Sequence, residues 1–327
     1  MSASTRSDSQ AFGRVVVLGG LGFMGSHICR ELLARGYPVR IFDRLYALRT
    51  LVEDIEDALE IVEGDMALTD DVMNVISEAD TVIHLVHTTV PGSSMKDPAY
   101  DLSSNVVASV GWLSRLHETK VRRLIYVSSG GTVYGPPQTN PIKENHPTEP
   151  ISSYGITKLT IEKYVAMYAA MFGIDYCVVR PSNVYGPGQK LHIGQGVIGV
   201  LTDRALRGEP LEVWGTGESL RDYLHVEDLV QAISGLVAYT GPQRVFNISS
   251  GVGHSVLDII RILNGCLGFV PALLYKPDRG FDVPVNVLDS SRLHAETGWR
   301  PAIGLEDGIA RTVEWLRRLQ KHEAGAA

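Results

Sequence analysis

The stretch Arg14-Val-Val-Val-Leu-Gly-Gly-Leu-Gly-Phe-Met-Gly25 decides the fold of this 327-residue chain. Residues 15–18 are three valines and a leucine, a run typical of a strand buried on both faces. Residues 26–35 carry apolar side chains at helical spacing and are followed by Gly36. Between these segments stand three glycines at the spacing G-x-x-G-x-x-G: Gly19, Gly22 and Gly25. The stretch therefore predicts a strand, a glycine turn and a helix.

A glycine turn between a strand and a helix suits the binding of a pyrophosphate, because it presents bare backbone N–H groups and the positive end of the helix. Gly19 would let the chain turn, Gly22 would leave room for the phosphates, and Gly25 would let helix and strand pack closely. The motif taken alone is equally compatible with an ordinary strand–helix turn. Its context has to separate the two interpretations.

An acidic residue follows the second predicted strand, residues 38–42. Asp43 stands 18 positions past Gly25, where a carboxylate accepts hydrogen bonds from the ribose hydroxyls of an adenosine. A carboxylate at this place repels a 2′-phosphate, which favours NAD over NADP, and Arg44 beside it softens that preference. The context therefore predicts a dinucleotide site for NAD.

Length and composition indicate an ordinary globular protein. Hydrophobic residues make up 44% and charged residues 20% of the chain, and its length allows one large or two small domains. The net charge of −7, without any cluster of Lys and Arg, argues against binding to nucleic acid. No apolar run reaches the length of a membrane span, and residues 1–11 are typical of a polar tail rather than a signal peptide.

The three cysteines, Cys29, Cys177 and Cys266, lie far apart in apolar surroundings and lack the spacing of metal ligands. They are most simply thiols of a hydrophobic core in a reducing compartment. The sequence accordingly predicts a cytoplasmic protein with no metal site and no contact with a membrane.

Strands and helices alternate through the first half of the chain. Further strands are predicted near residues 61–65, 81–86 and 123–128, with helices near 70–78 and 98–117. Such alternation predicts an α/β fold with a doubly wound parallel sheet of the Rossmann type. Ligands bind at the carboxyl ends of the strands in such sheets. One crevice should therefore be lined by residues 19–25, 43, 65, 86–88 and 128–132.

A helix predicted near residues 153–171 begins with Tyr154-Gly-Ile-Thr-Lys158, with Ser152 or Ser153 as its cap. Positions i and i+4 lie on one helix face, so the phenol and the ammonium point the same way. The ammonium, together with a positively charged nicotinamide, would favour the phenolate and lower the pKa of Tyr154 from about 10. The pair would then transfer protons near neutral pH, although the same spacing is often a plain surface pairing.

Four motifs together resemble those of the extended short-chain dehydrogenase/reductase family. They are the glycine motif, the Tyr154/Lys158 pair, Arg180-Pro-Ser-Asn-Val-Tyr-Gly-Pro-Gly-Gln189 and Arg221-Asp-Tyr-Leu-His-Val-Glu-Asp228, in the order of the family. Within this family the chain is most similar to the nucleotide-sugar epimerases and dehydratases, UDP-glucose 4-epimerase being the nearest type. The resemblance covers residues 14–319 and is less specific for the sugar than for the family.

The resemblance implies an NAD-dependent epimerase of a nucleotide-diphosphate sugar. Tyr154 would take the proton of a sugar hydroxyl, at C4, with Lys158 as its electrostatic partner and as a contact of the nicotinamide ribose. Hydride would pass to NAD, the transient 4-keto sugar would turn over about its diphosphate link, and hydride would return to its other face. A decarboxylase, dehydratase or reductase on the same framework stays open, and so does a non-catalytic NAD-binding sensor.

The resemblance also implies roles for individual binding residues. Phe23 and Met24 would offer backbone groups to the pyrophosphate, and Asp43 would hold the adenosine ribose. The remaining cofactor residues would be Arg44 beside Asp43, Asp65 and Met66 at the adenine, Leu85 and Val86 along the dinucleotide, and Asn105, projecting from its helix. The substrate residues would be Asn183 at a phosphate, Val197, Arg221 and Arg279 as a clamp on the diphosphate, and Asp282 at the ribose of the nucleotide.

The segment Ser128-Ser-Gly-Gly-Thr-Val-Tyr-Gly135 departs from the pattern of the epimerases. They carry Ser or Thr three residues ahead of this Val, where this chain has Gly130, so the hydroxyl that meets the reacting oxygen of the sugar is missing there. Thr132 is the first candidate to replace it and Ser129 the second, although such hydroxyls often satisfy backbone groups at a strand end. The 4,6-dehydratases carry an acid directly before Val-Tyr-Gly, and Gly131-Thr132 offers none.

Three side chains near the predicted strand ends have no firm assignment. His84 is expected to be structural, and His87 has no predicted role although it could face the crevice. Trp214 is expected to pack in the second half of the chain, with a wall for the nucleotide base as the alternative.

The second half of the chain is less regular and predicts a smaller, interleaved α/β substrate domain. The NAD-binding domain is predicted over residues 12–182, with 221–249 returning to it, and the substrate domain over 183–220 and 250–320. The resemblance further implies a homodimer, in which the two long helices of the first domain pair with those of a second copy as a four-helix bundle.

Overall fold

The structure of the chain is a computed structural model, which describes residues 13–191, 196–277 and 283–325. Its strands in chain order are β1 (Val15–Leu18), β2 (Val39–Asp43), β3 (Glu60–Glu63), β4 (Thr81–His84), β5 (Arg123–Val127), β6 (Asp175–Pro181), β7 (Asn183–Tyr185), β8 (Leu211–Trp214), β9 (Leu220–His225), β10 (Val245–Ile248), β11 (Gly253–His254), β12 (Leu273–Lys276) and β13 (Val285–Asn286). Its α-helices are α1 (Phe23–Ala34), α2 (Thr69–Ile76), α3 (Pro91–Ser94), α4 (Pro98–Asp101), α5 (Ala108–Leu113), α6 (Ser153–Phe172), α7 (Val197–Leu206), α8 (Val226–Val237), α9 (Val256–Leu267), α10 (Ser291–Thr297) and α11 (Leu305–Gly325). Turns of 3₁₀-helix cover Glu53–Ala58 and Leu116–Glu118, and a π-helix covers Leu102–Val107.

A parallel sheet, seven-stranded within the described residues, forms the centre of the molecule. Its order is β10-β6-β5-β4-β1-β2-β3, so the chain starts in the middle of the sheet and builds outward in both directions. Every pairing in it is parallel. Read from the other edge, the order 3-2-1-4-5-6 is that of a dinucleotide-binding sheet. The predicted α/β fold of the Rossmann type is therefore confirmed.

Helices cover both faces of this sheet, because alternate residues of each strand point to opposite faces. Val15 and Val17 of β1 face a hydrophobic cluster formed with α1 and α8. Val16 and Leu18 face a second cluster, formed with α2, α5 and α6. Burial on both sides holds the strands in register, so the residues that follow them converge at one edge.

Several elements differ from the sequence prediction, and two of them bear on the position of the site. The strand β6 lies between β5 and β10, where no strand was predicted. The helix predicted near residues 98–117 is interrupted by the π-helix. Within it, Asn105 donates from Nδ2 to the carbonyl of Asp101 at 2.9 Å and accepts from the N–H of Thr88 at 2.8 Å. These side-chain hydrogen bonds stabilise the widened turn.

The second half of the chain builds two smaller sheets. In one, β9 pairs with β7, β11 and β13, and in the other β8 pairs with β12. Side chains of α7, α9 and α11 share a third hydrophobic cluster with these strands. The helix α8 packs on the main sheet and β10 pairs in it, whereas β9 belongs to the smaller sheet. The division into domains at residues 182, 220 and 249 stays a prediction.

Candidate active site

The glycine turn after β1 forms a tight cradle. Gly19 has a φ of +89°, a conformation that glycine adopts without strain, and its N–H donates to the carbonyl of Phe42. Gly22 stands at the start of α1 and caps it without a side-chain hydrogen bond. A Cβ added at Gly25 would lie 2.2 Å from the carbonyl oxygen of Gly19. The turn therefore has the close backbone approach that a pyrophosphate site requires.

Asp43, the last residue of β2, is bound to this cradle. Its Oδ2 accepts a hydrogen bond of 2.9 Å from the N–H of Leu21, in the glycine turn. Its Oδ1 accepts one of 2.9 Å from the N–H of Arg44, whose side chain is exposed. The predicted ribose acceptor and the predicted phosphate cradle are thus one connected structure.

The other predicted cofactor residues surround the cradle to different extents. Leu85 and Val86 follow β4, and a Cβ added at Gly19 would come within 3.5 Å of both. Asp65 follows β3 and is exposed, whereas Met66 is half-buried against the second hydrophobic cluster. These positions agree with the expected edge of the sheet, while their contacts with a cofactor stay a prediction.

Tyr154 and Lys158 lie in the first turns of α6. This helix starts at a cap in which the Oγ of Ser152 accepts a hydrogen bond from the N–H of Gly155. The Nζ of Lys158 donates to the carbonyl of Val127 at 2.9 Å and lies 5.8 Å from the centre of the Tyr154 ring. The start of α6 therefore presents the phenol and the ammonium at the carboxyl end of β5.

Burial dominates the ionisation of this pair when only the protein's own groups act. It lowers the pKa of Lys158 to about 7, against the opposite effect of the Glu162 and Asp101 carboxylates. It raises the pKa of Tyr154 above its ordinary value, and the negative charge of Asp101 raises it further. The net shift of the pKa of Tyr154 is therefore upward when only the protein's own groups act, in contrast to the predicted lowering, and the contribution of a nicotinamide stays a prediction. Removing a phenolate from water outweighs the attraction of a partly charged lysine.

A cavity of about 610 Å³ runs from Tyr154 into the second half of the chain. Phe23 and Met24 of α1, Ser129 after β5 and Tyr154 of α6 line one part of it. Its other lining residues include Asn183, Val184, Val197, Arg204, Glu212, Trp214 and Arg221. One cavity is therefore shared by the first residues of α1, by Tyr154 and by polar side chains from the second half of the chain.

The predicted substrate residues fall into two groups. Asn183, Val197 and Arg221 line the cavity. Arg279 and Asp282 lie outside the described residues, so their roles stay predictions. The structure thus brings three of the five positions to the same space as Tyr154.

The candidate hydroxyls near Gly130 are placed differently. Ser129 lines the cavity together with Tyr154. Thr132 is not among the described residues that line it, and its Oγ1 is buried without a hydrogen-bond partner among the described groups. A Cβ added at Gly130 would lie 2.3 Å from a methyl group of Leu288. The geometry favours Ser129 over Thr132, the reverse of the predicted order, because the chain turns the hydroxyl of residue 132 into the protein.

Asn105 does not line the cavity in the described structure. Its side chain is buried, and its amide binds the backbone of Thr88 and the backbone and carboxylate of Asp101. It therefore holds the segment after β4 on the π-helix. A contact between Asn105 and the cofactor stays a prediction.

Arg204 and Glu212 line the cavity beside Trp214, and no role was predicted for either residue from the sequence. The carboxylate of Glu212 lies 3.2 Å from a guanidinium nitrogen of Arg204. In β8 the side chains of Leu211 and Val213 are buried, and Glu212 and Trp214 share the other face. This alternation of apolar and other residues along the predicted strand could have indicated that Glu212 and Trp214 share one face. Trp214, expected to pack, is 43% exposed at the cavity wall.

The described residues show no metal-binding cluster, no membrane-spanning helix and no disulfide. Within residues 13–191, 196–277 and 283–325, no group of three or more His, Cys, Asp or Glu side chains is arranged to hold a metal ion. No described helix combines the length and the apolar character needed to cross a membrane. Cys29 and Cys177 are buried and Cys266 is half-buried, each as a free thiol.

A chain with this strand order and this glycine cradle falls in the broad class of Rossmann-type dinucleotide-binding proteins. The sequence pattern of the NAD dependent epimerase/dehydratase family matches residues 15–249, and the chain belongs to that family. The family predicted from the four motifs is confirmed, and so is NAD as the cofactor.

Known proteins similar to this chain are enzymes of nucleotide sugars. The UDP-glucose 4-epimerase of Thermotoga maritima, solved with UDP-glucose, is 33% identical with a TM-score of 0.88, covering 94% of this chain and 99% of that one. The UDP-glucose 4-epimerase of Thermus thermophilus, solved in complex with NAD, is 30% identical with a TM-score of 0.85, covering 93% and 99%. A dTDP-4-dehydro-6-deoxyglucose reductase of Escherichia coli is 32% identical over 323 residues, covering 93% of this chain and 97% of the relative.

The described residues fit NAD at the cradle. The absence of a side chain at Gly25 permits the approach of α1 to the turn, and Asp43 is held beside it by Leu21. Phe23 and Met24, the first residues of α1, open onto the cavity that Tyr154 lines. A pyrophosphate at the start of α1 would thus be continuous with the space in front of the phenol.

Proposed function

We propose that this protein is an NAD-dependent 4-epimerase of a nucleotide-diphosphate sugar, similar to UDP-glucose 4-epimerase, which acts through a transient 4-keto sugar. The observation that carries the proposal is the single cavity lined by both Tyr154 and the first residues of α1, Phe23 and Met24, at the end of the glycine cradle. NAD, when bound, supplies a hydride acceptor that returns the hydride to the same carbon. An epimerase needs this acceptor and one proton-transfer group, and no further reagent.

Tyr154 is the proton-transfer group of this proposal. Its phenolate takes the proton of the C4 hydroxyl during oxidation of the sugar, and the resulting phenol returns it during reduction. Because burial and Asp101 oppose its ionisation, positive charge has to favour the phenolate. Lys158 supplies that charge from the protein, and its pKa of about 7 keeps it partly protonated near neutral pH. Ser129 is the proposed hydrogen-bond partner of the reacting oxygen.

Arg221 and Asn183 hold the nucleotide end of the substrate. A guanidinium nitrogen of Arg221 donates to the carbonyl of Val283 at 2.7 Å, and the amide of Asn183 donates to a backbone carbonyl of β9 at 2.9 Å. Both side chains are therefore fixed to the smaller sheet at the cavity wall, where a guanidinium suits a diphosphate. A diphosphate held there leaves the sugar ring free to turn. Arg279 and Asp282 are the further contacts that we propose.

The lining of the cavity favours an epimerase over a 4,6-dehydratase. Glu212 is the one carboxylate among the described lining residues, and it is paired with Arg204. The two positions before Val133 hold Gly131 and Thr132, so no acid stands there to exchange protons at C5 and C6. The residues present support oxidation and reduction at one carbon.

The activity is tested by incubating the purified, NAD-loaded protein with a panel of UDP-, GDP- and dTDP-sugars. Products are separated by mass and by epimer, and the expected product is inverted at C4 with unchanged mass and no net formation of NADH. The variant Tyr154→Phe is expected to fold and to retain NAD, but to lose turnover by roughly a thousandfold.

The matched control for this variant is Tyr176→Phe, which changes a half-buried tyrosine of β6. It is expected to keep wild-type turnover. Near-wild-type turnover of Tyr154→Phe would contradict the acid/base assignment, and absence of any C4 inversion across the panel would contradict the epimerase.

A reductase of a 4-keto nucleotide sugar is the second candidate, because the Escherichia coli reductase is as similar in sequence as the epimerases are. A reductase consumes reduced cofactor and yields a product heavier by two hydrogen atoms. Product mass therefore separates the two candidates once the protein is also incubated with NADH and a 4-keto nucleotide sugar, and an NAD-binding sensor would give no product in either incubation.

We propose a homodimer as the assembly. Exposed apolar side chains lie on the π-helix and on α6, with Val107 62% and Met171 64% exposed. Pairing of these helices between two copies would remove the side chains from water. Sedimentation is expected to show a dimer for the wild type and a monomer for the double variant Val107→Glu, Met171→Glu. A monomeric wild type would contradict the proposal.

We also propose a cytoplasmic location. The thiols of Cys29, Cys177 and Cys266 are free. Such unpaired thiols suit a reducing compartment. Cell fractionation tests this, and recovery outside the cytoplasm would contradict it.

A further inference from the structure

His87 lies against the phenol of Tyr154. It follows β4 at the carboxyl edge of the main sheet, and its side chain is only 6% exposed. The imidazole and the Tyr154 ring meet nearly at right angles, with ring centres 4.5 Å apart and an angle of 69° between the planes. His87 is not among the described residues that line the cavity. It therefore contacts the phenol rather than the space for a ligand.

The other neighbour of His87 is Asp101, the last residue of α4, whose side chain is completely buried. The carboxylate accepts hydrogen bonds of 2.7 Å from the hydroxyls of Ser153 and Thr157, on either side of Tyr154 in α6. Burial acts to raise the pKa of Asp101, but the neighbouring His87 imidazole and hydrogen bonds from the surrounding hydroxyls lower it below its usual range. Asp101 is thus a permanent negative charge that anchors the start of α6.

His87 contacts both of these groups. Its Nε2 lies 3.5 Å from the Oδ1 of Asp101, and neither of its ring nitrogens has a well-formed hydrogen bond among the described groups. Burial, together with the charge of Lys158, lowers the pKa of His87 to about 4, so the imidazole is neutral at neutral pH. The charge of Asp101 meanwhile opposes ionisation of Tyr154. The neutral, polar imidazole therefore lies beside both the Asp101 carboxylate and the Tyr154 phenol, whose phenolate form the carboxylate would repel.

The other titratable groups packed around this site belong to β4, β5 and α6: His84, Tyr126, Lys158 and Glu162. Burial keeps the first two uncharged, because it lowers the pKa of the histidine to about 3 and raises that of the tyrosine. The glutamate is paired with Arg180 at 2.6 Å. Among the described residues, Lys158 and Asp101 are therefore the charges that act most directly on Tyr154.

We propose that His87 is a positioning residue for Tyr154: its neutral imidazole turns an N–H towards Asp101, holds the phenol in place and weakens the effect of the carboxylate on ionisation of the phenol. The proposal rests on the proposed acid/base role of Tyr154 and is independent of which sugar binds. An apolar ring at position 87 would keep the packing but leave Asp101 one donor short. Tyr154 would then ionise at a higher pH.

The test follows the ionisation of Tyr154 in the NAD-loaded protein. The near-ultraviolet absorbance of tyrosinate is titrated for the wild type and for Tyr154→Phe, and the difference isolates this one phenol. The same difference is recorded with His87→Phe, which keeps a ring without an N–H, and with His87→Gln, which keeps an N–H without the ring. His87→Leu is a second variant without a donor.

His87→Phe and His87→Leu are expected to raise the midpoint for Tyr154 by about one pH unit and to lower turnover near neutral pH by about tenfold, with little change in KM. His87→Gln is expected to return the midpoint towards the wild-type value. Bound NAD and the thermal midpoint show which variants are folded.

An unchanged midpoint in a folded variant without the N–H would overturn the inference and leave His87 a packing role. A midpoint that rises equally in His87→Gln would also overturn it, since the N–H would then have no effect. If the difference spectra show no ionisation of Tyr154 at any pH at which the wild type is folded, the acid/base assignment itself fails. That outcome is distinguishable because it appears without any change at His87.

Discussion

The carboxylate of Asp43 is bound to the backbone N–H of Leu21 at 2.9 Å, which joins the end of β2 to the glycine turn after β1. The second carboxylate oxygen accepts from the N–H of Arg44. Because a carboxylate oxygen can accept more than one hydrogen bond, Asp43 can hold the turn and still receive ribose hydroxyls. One residue therefore shapes the phosphate cradle, and it stays the predicted acceptor of the ribose hydroxyls.

The variant Asp43→Ala is expected to weaken the binding of NAD by about 10- to 100-fold, because it removes a charged acceptor and the anchor of the turn together. Its preference for NAD over NADP should also fall. Binding is measured by titrating the NAD-free protein with each dinucleotide. Asp57→Ala, at an exposed carboxylate of the 3₁₀ turn, is the control and should bind like the wild type. Unaltered affinity of Asp43→Ala would refute this reading of the contact.

The variant Gly25→Ala is expected to lose NAD and to lower the thermal midpoint. Its Cβ would lie 2.2 Å from the carbonyl oxygen of Gly19 and 2.7 Å from the Cα of Gly20, and these backbone atoms cannot move aside as a flexible side chain does. Gly235→Ala in α8 is the matched control, since its Cβ meets nothing within 4 Å. Removing a glycine from a helix there should stabilise the protein by about 0.5–1 kcal/mol. Equal behaviour of the two variants would speak against the close approach.

The variant Ser129→Ala is expected to lose turnover, whereas Thr132→Val is expected to keep it. Ser129 lines the cavity with Tyr154, so removing its hydroxyl is expected to lower turnover by about 10- to 100-fold. The Oγ1 of Thr132 is buried without a partner among the described groups, so an isosteric valine should keep turnover and raise the thermal midpoint slightly. Steady-state turnover and thermal melting check both. The opposite ranking of turnover would restore Thr132 as the catalytic hydroxyl.

Stability should rise with pH between about 7 and 9 because of Lys158, before ionisation of the Cys29 and Cys177 thiols in the unfolded chain opposes the rise. Burial places its pKa in the folded protein at about 7, below the value of about 10.4 in the unfolded chain. Within this window the unfolded chain binds more protons, so the free energy of unfolding increases with pH, by at most about 1.4 kcal/mol per unit. Lys158→Met should abolish this rise, whereas Lys163→Met, at an exposed lysine of the same helix, should keep it. Denaturant unfolding of the NAD-free protein at several pH values measures the slope, and a slope that survives in Lys158→Met would exclude the buried ammonium as its cause.

Local patterns in the chain were sufficient for the first half of the site. The strand at residues 15–18, the glycine spacing and the acid at position 43 are close in sequence, and each depends on backbone geometry that neighbouring residues dictate. The spacing of Tyr154 and Lys158 is likewise a property of one helix, and the helix starts at Ser152, one of the two predicted caps. Such short-range rules need no knowledge of the distant chain.

The interruption of the helix near Asn105 was beyond those rules. It depends on hydrogen bonds to Thr88 and Asp101, and the first of these lies in the loop after β4, 17 residues earlier in the chain. The strand β6 was not predicted for a related reason, since its place in the sheet is set by pairing with β5 on one side and with β10, distant in sequence, on the other. In both cases the conformation follows from partners that only the folded chain supplies.

From the order of its residues alone, this chain could be assigned an alternating α/β sheet, a cradle for NAD and a tyrosine–lysine pair, because each arises from contacts within a few residues. The choice between Ser129 and Thr132 required the folded molecule, because only the structure shows which hydroxyl reaches the cavity. The same holds for Gly130, where Leu288, far along the chain, leaves no room for a side chain. The direction of the pKa shift of Tyr154, and its contact with His87, required it too. Burial and charge at one atom are sums over neighbours that come together only when the chain is folded.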